Sequence, residues 1–253
     1  MKMTTFKTYF KKEIIESSRQ FRYIILAAGI IAFAILDPFM LKILPYILKN
    51  QLSADFSGLF DISQKAAVMN YIKDLTQVGN IVIVFTLGGI LSEEITSEKL
   101  VFPYSKGGSP LGIVTAKVVH YTLTVWIFTF IGFAVAHYYS GMLFEGEQVD
   151  FINILKSALL ISLYYYFNIT LVILFSSLLK KGIAAGFMVL GLNVVFSFLG
   201  NIKIVGKLLP GKLVDAANAF SLSGTVSSVI FTIVCGIIFV CLTVVRMNRV
   251  EVI

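Results

Sequence analysis

The stretch Ser92–Lys117, SEEITSEKLVFPYSKGGSPLGIVTAK, places a dense set of polar residues between two long apolar runs. It contains three glutamates, three lysines, two prolines and the pair Gly107-Gly108. The whole chain has only 14% charged residues, against about 25% in an average soluble protein. This stretch, called the elbow below, is therefore the segment best suited to contact something outside a membrane.

The composition around the elbow indicates an integral membrane protein. Hydrophobic residues make up 57% of the 253 residues. No segment has the mixed composition of a soluble core, so we predict one membrane domain over residues 1–253. The start carries lysines and then glutamates without a short apolar core and cleavage site, which argues against a removable signal peptide.

Six apolar stretches approach the roughly 20 residues that a helix needs to cross a bilayer. They cover about residues 23–36, 72–91, 118–139, 151–179, 182–199 and 225–245. We expect the first to continue past Asp37-Pro38 as a kinked helix, and residues 41–52 to lie in the membrane interface. The predicted fold is all-α, a polytopic protein with six transmembrane helices.

Two further segments are predicted to lie at the membrane surface. Residues 1–22 combine apolar positions at helical spacing with lysines elsewhere, which favours a basic interfacial helix over a simple charged flank. Residues 201–223 are too apolar for a solvated loop and are broken at Pro210-Gly211. They fit a re-entrant pair of short helices or an ordinary extracellular loop about equally well.

Basic residues set the expected orientation, because cytoplasmic loops carry excess lysine and arginine. With the N-terminus inside, 13 of the 21 basic and 6 of the 14 acidic residues fall on the cytoplasmic side, which then holds the whole net charge of +7. We therefore expect both termini and the elbow in the cytoplasm. Topology and anionic lipid account for the charge without a nucleic-acid partner.

Within the elbow, we expect a short helix from Glu94 to Phe102 ending before Pro103, and a new helix that starts at Ser109-Pro110 with Ser109 as N-cap. This pattern resembles the cytoplasmic loop of the small six-span permease subunits of type-2 ABC exporters in bacteria. An acidic pair, a short helix, a Lys-Gly turn, a serine and a lysine at the foot of the third span all have counterparts here. Those counterparts are Glu93-Glu94, residues 100–104, Lys106-Gly107, Ser109 and Lys117. The family's usual Gly-Thr is Glu98-Lys99 in this chain, and the arginine after the serine is Pro110.

The resemblance implies a coupling helix that docks on a separate ATPase, in a permease that pairs with a second copy or a sibling. The implied ATPase-coupling residues are Glu93, Glu94, Glu98, Lys99, Leu100, Phe102 and Lys106. No G-x-x-x-x-G-K-[ST] phosphate loop occurs in the sequence, so ATP and Mg²⁺ would be bound by the partner and the chain itself is expected not to be an enzyme. The alternative is a solvated loop whose charges only fix topology.

Polar residues within the spans are candidates for a substrate pathway or for contacts between helices. The candidates are Gln77, Asn80, Tyr165, Asn168 and Asn193. Hydrogen bonds between helices explain such residues more often than substrate contact. Gly182 and Gly186 form a G-x-x-x-G pattern that indicates close helix packing.

Two other classes of function compete with an exporter. Glu93-Glu94 and Phe133-x-x-x-His137 resemble part of the motif set of intramembrane glutamate proteases, but Glu98 replaces an expected arginine and a second histidine motif is missing. His120 and His137 lie about 25 Å apart on one helix, so we predict no metal site. An ion-coupled transporter is disfavoured because no charged residue falls at the centre of a predicted span. The sequence thus favours an ATP-driven exporter subunit in the bacterial plasma membrane, moving a hydrophobic or amphipathic substrate such as an antimicrobial peptide.

Overall fold

The structure, a computed structural model, describes residues 2–52, 62–146, 148–202 and 205–249. Every regular element in these residues is a helix. Six helical segments are long and apolar enough to cross a membrane, namely Arg22–Pro45, Gln64–Thr96, Pro110–Leu143, Phe151–Leu178, Gly182–Gly200 and Val226–Asn248. The predicted all-α fold with six membrane-spanning helices is confirmed.

The described residues form eleven α-helices and one π-helical turn. They are α1 (Lys2–Arg19), α2 (Arg22–Leu52), α3 (Gln64–Asp74), the π-helical turn (Leu75–Gly79), α4 (Asn80–Gly88), α5 (Ser92–Thr96), α6 (Val101–Ser105), α7 (Pro110–Leu143), α8 (Phe151–Leu178), α9 (Gly182–Gly200), α10 (Gly211–Asn218) and α11 (Val226–Asn248).

The N-terminal helix packs on α7 through a polar face. Tyr9, Glu13 and Ser17, spaced by four residues, are all buried. Ile14 and Ile15 on the other side are 43% and 45% exposed. The N-terminal segment is therefore helical as predicted, but the stripe it buries includes a carboxylate that the apolar pattern did not indicate. Its location at the membrane interface stays a prediction.

The first span is longer than expected. Helix α2 runs without interruption past Asp37-Pro38, as expected, and on to Leu52, whereas its stretch apolar enough to cross a membrane ends at Pro45. That residues 41–52 lie in the membrane interface stays a prediction. Pro38 and Pro45 lie inside the helix. Each removes one backbone hydrogen bond, and the apolar residues around them keep the helix continuous by packing, because tertiary contacts override a local break.

The second span contains a π-helical turn that the sequence did not predict. The Tyr165 hydroxyl of α8 donates a hydrogen bond of 2.7 Å to the carbonyl of Leu75, the first residue of the turn. Gly79 lies beside the same hydroxyl, and a Cβ at this position would come within 2.8 Å of it. A tyrosine from a neighbouring helix thus holds the turn in place.

Helix α8 is the centre of the bundle. In its most apolar window 72% of the residues are buried, against 17% in α9 and 22% in α11. Helix α9 is attached to the bundle by glycines, since a Cβ on Gly182 would lie 2.6 Å from the Gly89 backbone and one on Gly186 would lie 2.8 Å from the Phe85 ring. The close helix packing predicted from Gly182 and Gly186 is confirmed.

The segment 201–223 contains one described helix, α10, which begins directly after Pro210. Of the two alternatives left open for this segment, the pair of short helices is not seen in its described residues, since residues 205–208 form turns before α10. Residues 203–204, and Met1 of the predicted interfacial helix, lie outside the described residues.

Candidate functional site

Residues 92–109 of the elbow fold as two one-turn helices, α5 and α6, and residues 110–117 form the first two turns of α7. The single helix predicted from Glu94 to Phe102 was wrong. Glu98 has a φ of 55° and ends α5, since the amide of Lys99 bonds to the Glu94 carbonyl at 3.0 Å and the amide of Glu98 bonds to the Ile95 carbonyl.

The second short helix ends in the same way. Gly107 has a φ of 75°, and the amide of Gly108 bonds to the Pro103 carbonyl at 2.8 Å. Pro103 lies inside α6 rather than after it, where its missing N–H is harmless in a first turn. Helix α7 begins at Pro110 as predicted, but Ser109 makes no side-chain cap.

The start of the elbow is fixed to the central helix. The backbone amides of Leu91 and Ser92 both donate to the hydroxyl of Ser176 near the end of α8, at 3.0 and 3.1 Å. At the other end of the elbow, the Tyr104 hydroxyl lies 3.5 Å from the carbonyl of Met247 in α11. The elbow is thus joined to two spans besides the ones it connects in sequence.

A buried charge cluster lies between the elbow, α1 and α7. It consists of Lys12, Glu13, Glu94 and Lys117. The Lys117 ammonium donates to Glu13 Oε1 at 2.6 Å and to Glu94 Oε1 at 2.9 Å. Lys12 bonds to the same two carboxylates from the side of α1. Three of the four side chains are at least 96% buried, and only Lys12 is partly exposed, at 36%.

Hydrogen-bonding groups extend the cluster along α7. The Tyr121 hydroxyl donates to Glu13 Oε2 at 3.0 Å and accepts a bond from the Arg22 guanidinium. Ser17 Oγ lies 3.3 Å from the same hydroxyl and 3.2 Å from Nε2 of His120. Helix α1 is therefore held to α7 by a polar network and not by apolar packing alone.

The cluster changes the ionisation of its members outside the spans. Burial raises the pKa of Glu13, but the neighbouring charges of Lys117 and Lys12 outweigh it and lower that pKa to about 2. Burial lowers the pKa of Lys12, but the carboxylates of Glu94 and Glu13 raise it by more, so the pKa lies above its usual value. Both groups are thus charged over the physiological range.

A metal ion is not needed to explain this cluster. Ligand oxygens of Glu13, Glu16 and Glu94 lie within 4.8 Å of one another, which is a spacing that a cation could use. Lys12 and Lys117 already supply positive charge there, with Lys12 also 2.7 Å from Glu16. The ammonium group of Lys12 contacts all three carboxylates, and that of Lys117 contacts Glu13 and Glu94.

The seven predicted coupling residues fall into two groups. Glu94 and Leu100 are buried, so neither is available at the surface of this chain. Five are exposed: Glu93, Glu98, Lys99, Phe102 and Lys106. Phe102 is 65% exposed, and the Lys106 ammonium lies 4.2 Å from the centre of its ring. The outer face of the elbow thus presents an aromatic side chain among charges.

The five predicted pathway residues do not form one surface. Gln77 is exposed and Asn80 is buried, because the π-helical turn changes their relative direction, so these two residues lie on different faces. Tyr165 is bound to the π-helical turn. Asn193 Nδ2 of α9 donates to Asn168 Oδ1 of α8 at 2.8 Å, which confirms the reading of these two as a contact between helices.

Sequence patterns did not identify Lys12, Glu13 or Lys117 as site residues. The available signal was Lys117 itself, a lysine inside an apolar helical run that needs a carboxylate partner. Asp37 was also misjudged, since it lies inside the span Arg22–Pro45 and is 9% exposed. Its Oδ2 atom has no hydrogen-bond partner in the described part of the chain. The prediction that no charged residue type falls at the centre of a span assumed a first span that ends at Leu36, and the longer span brings Asp37 close to its middle.

Comparisons with known proteins add no family. A scan of known protein families finds none that matches the chain, and a search of curated proteins finds no relative. Function is therefore inferred from the elbow and the buried charge cluster.

Proposed function

We propose that this chain is the membrane-spanning permease subunit of an ATP-driven exporter, and that a separate ATPase binds its elbow. The observation that supports this most directly is the two-sided elbow. Its outer face exposes Phe102 among charged residues, an arrangement that suits an aromatic anchor within a polar rim at a protein interface. Its inner face is joined to the rest of the bundle through Glu94 and Ser92.

The inner contacts suit a part that transmits force. A push on residues 92–109 would act on α7 and α1 through Glu94 and Lys117, on α8 through Ser176, and on α11 through Tyr104. The contacts of Glu94 and of Ser176 are short and buried, so a displacement of the elbow would be passed on to α7 and α8 instead of absorbed by side-chain motion. Closure of a bound ATPase pair would then tilt several spans together.

The backbone at Glu98 supports the resemblance to type-2 exporter permeases. This residue stands where that family usually has glycine, and its φ of 55° lies in the region that glycine adopts most readily. The side chain differs from the family, but the turn it makes is one that glycine would also make. Glu98 in place of glycine therefore changes an exposed side chain and is compatible with the same backbone turn.

The remaining parts of the proposal follow from this role. ATP and Mg²⁺ bind to the partner ATPase, so this chain has no catalytic role of its own. The largely exposed sides of α9 and α11 face lipid or a second permease, either a copy or a sibling. The elbow and both termini are cytoplasmic in a bacterial plasma membrane, and the substrate is hydrophobic or amphipathic, with a peptide as our choice.

The test is co-purification with the ATPase from the neighbouring reading frame, followed by ATP hydrolysis in nanodiscs. We expect Phe102→Asp to abolish both the complex and stimulated hydrolysis, since it replaces an aromatic anchor by a charge. Leu222→Asp is the matched control, because Leu222 is 43% exposed in the connection between α10 and α11, outside the spans and away from the elbow. Equal complex formation by wild type and Phe102→Asp, with both variants folded, would exclude docking at the elbow.

An ion-coupled transporter is a second candidate because of Asp37, a buried carboxyl inside a span. The two mechanisms differ in their energy source. Proteoliposomes that contain the permease alone should show uptake driven by a proton or sodium gradient if Asp37 carries the coupling ion. An exporter subunit should need its ATPase and ATP, and Asp37→Asn should then change transport little.

A further inference from the structure

A cavity opens at the end of the bundle opposite the elbow. It has a volume of about 360 Å³ and lies between α8, α9 and α10. Its position follows from α9, whose first residue, Gly182, packs beside Gly89 near the elbow, and whose last residue, Gly200, lines the cavity. The charge cluster and the elbow contribute no residue to it.

The cavity wall on α9 is a row of polar side chains. Asn193, Ser197 and the C-cap residue Asn201, whose backbone is still in the α-helical region, follow one another at intervals of four residues, so they share one face. Eight residues at 1.5 Å each make this row about 12 Å long. Tyr164 and Phe167 of α8 lie across from it. A ligand would therefore meet hydrogen-bonding groups on one side and aromatic rings on the other.

The cavity has a polar base and a balanced rim. The bond of 2.8 Å between Asn193 and Asn168 belongs to the base and leaves the Asn193 carbonyl oxygen available to a ligand. Lys212 and Asp215 lie on α10, 3.9 Å apart. Because these charges offset each other, the cavity offers no net charge to attract an ion.

We infer that this cavity binds an uncharged amphiphile that carries amide groups, such as a short acylated peptide. Asparagine side chains offer both a carbonyl acceptor and an NH₂ donor, which is the pair of groups that an amide complements. The aromatic side chains would cover the apolar part of the molecule. The inference names the chemistry of the transported molecule and in that sense rests on the proposed function.

Two glycines on α9 allow a clean test. A Cβ at Gly200 or at Gly191 meets no heavy atom within 4 Å, so a side chain can begin at either position without a clash at its first atom. Only Gly200 lines the cavity. Gly200→Leu should therefore fill the cavity, whereas Gly191→Leu is a matched control on the same helix.

The experiment uses the full chain without ATPase in phosphatidylcholine nanodiscs. The probe is palmitoyl-alanine amide with a diazirine in the middle of the acyl chain, and an unreactive copy serves as competitor. We expect saturable photolabelling of the cavity residues in wild type and Gly191→Leu, and its loss in Gly200→Leu. Ser197→Val should weaken competition by about fivefold, the effect of one net hydrogen bond.

Two results would overturn the inference. One is labelling that is not reduced by competitor or is equal in the two glycine variants, since that would reflect ordinary contact with lipid. The other is stronger competition by a lysine- or glutamate-ended analogue than by the neutral amide. Because no ATPase is present, saturable binding together with failure to couple to ATP would retain this site and remove the exporter assignment.

Discussion

Replacing Lys117 by methionine tests the buried charge cluster most directly. The substitution keeps the length of the side chain and removes its charge. Glu13 and Glu94, which are 0% and 4% exposed at their side chains, would lose a partner at 2.6 and 2.9 Å. Lys12 would remain as the ammonium group that contacts both carboxylates in the described residues, and it is partly exposed to solvent.

The size of the effect follows from two opposing terms. Each of the two contacts of Lys117 has a Coulomb energy of about 6 kcal/mol at an effective dielectric constant near 20. Desolvation of each ion costs several kcal/mol, so the intact cluster adds little net stability. Removing one partner leaves the buried charges of the others without compensation for their lost hydration, and such changes cost about 3–5 kcal/mol.

The lowered pKa of Glu13 gives a second value for the loss of stability, and it has the same size. Burial raises its pKa, whereas Lys117 and Lys12 lower it, from the ordinary 4.5 to about 2. A difference of this size corresponds to about 3 kcal/mol. We therefore expect Lys117→Met to lower the free energy of unfolding by about 3 kcal/mol, measured by SDS titration in mixed micelles with circular dichroism.

A double variant separates lost charge pairing from lost packing. Lys117→Met with Glu94→Gln should regain about 1–2 kcal/mol, because a neutral amide is left in place of an unpaired carboxylate. Lys65→Met, at an exposed lysine, serves as the control and should change stability little. A loss below about 1 kcal/mol for Lys117→Met, or no recovery in the double variant, would refute the reasoning.

Three further predictions follow from other contacts. Because the pKa of Glu13 is lowered, its contribution to stability is complete above about pH 4.5 and is lost as the pH falls toward 2. Acid should therefore make α1 easier for a protease to cleave, and Glu13→Gln should remove this pH dependence. Gly182→Leu should destabilise the bundle by more than about 3 kcal/mol in SDS titration, because its Cβ would lie 2.6 Å from the Gly89 backbone, whereas Gly191→Leu should have little effect. Tyr165→Phe should cost about 1–3 kcal/mol in the same assay by leaving a buried carbonyl of the π-helical turn without its donor.

The sequence predicted the spans well because each is a continuous apolar run of sufficient length. It also predicted the start of α7 at Pro110 and the glycine contact of Gly182, since both depend on local chemistry. The helix breaks were predicted less well. Pro38 lies inside α2, as the expected continuation past Asp37-Pro38 implies, but Pro103 lies inside α6, where a first-turn position removes the usual penalty.

The interior of the elbow shows the limit of sequence patterns. The seven residues assigned to coupling were chosen as one surface, but Glu94 points inward to Lys117 while its neighbour Glu93 is exposed. Glu98 ends a helix in a conformation that is usual for glycine and uncommon for glutamate, so propensity alone gave no sign of the break. Both features depend on what packs against the elbow.

By itself, the sequence determined the membrane class, the six spans and the position of a polar elbow between the second and third of them, because hydrophobic burial depends on composition along the chain. Only the tertiary structure decided that Lys12, Glu13, Glu94 and Lys117 form one buried cluster. Residues 104 positions apart, such as Glu13 and Lys117, become partners when α1 packs on α7. The desolvation that makes their pairing matter arises only in that packed arrangement.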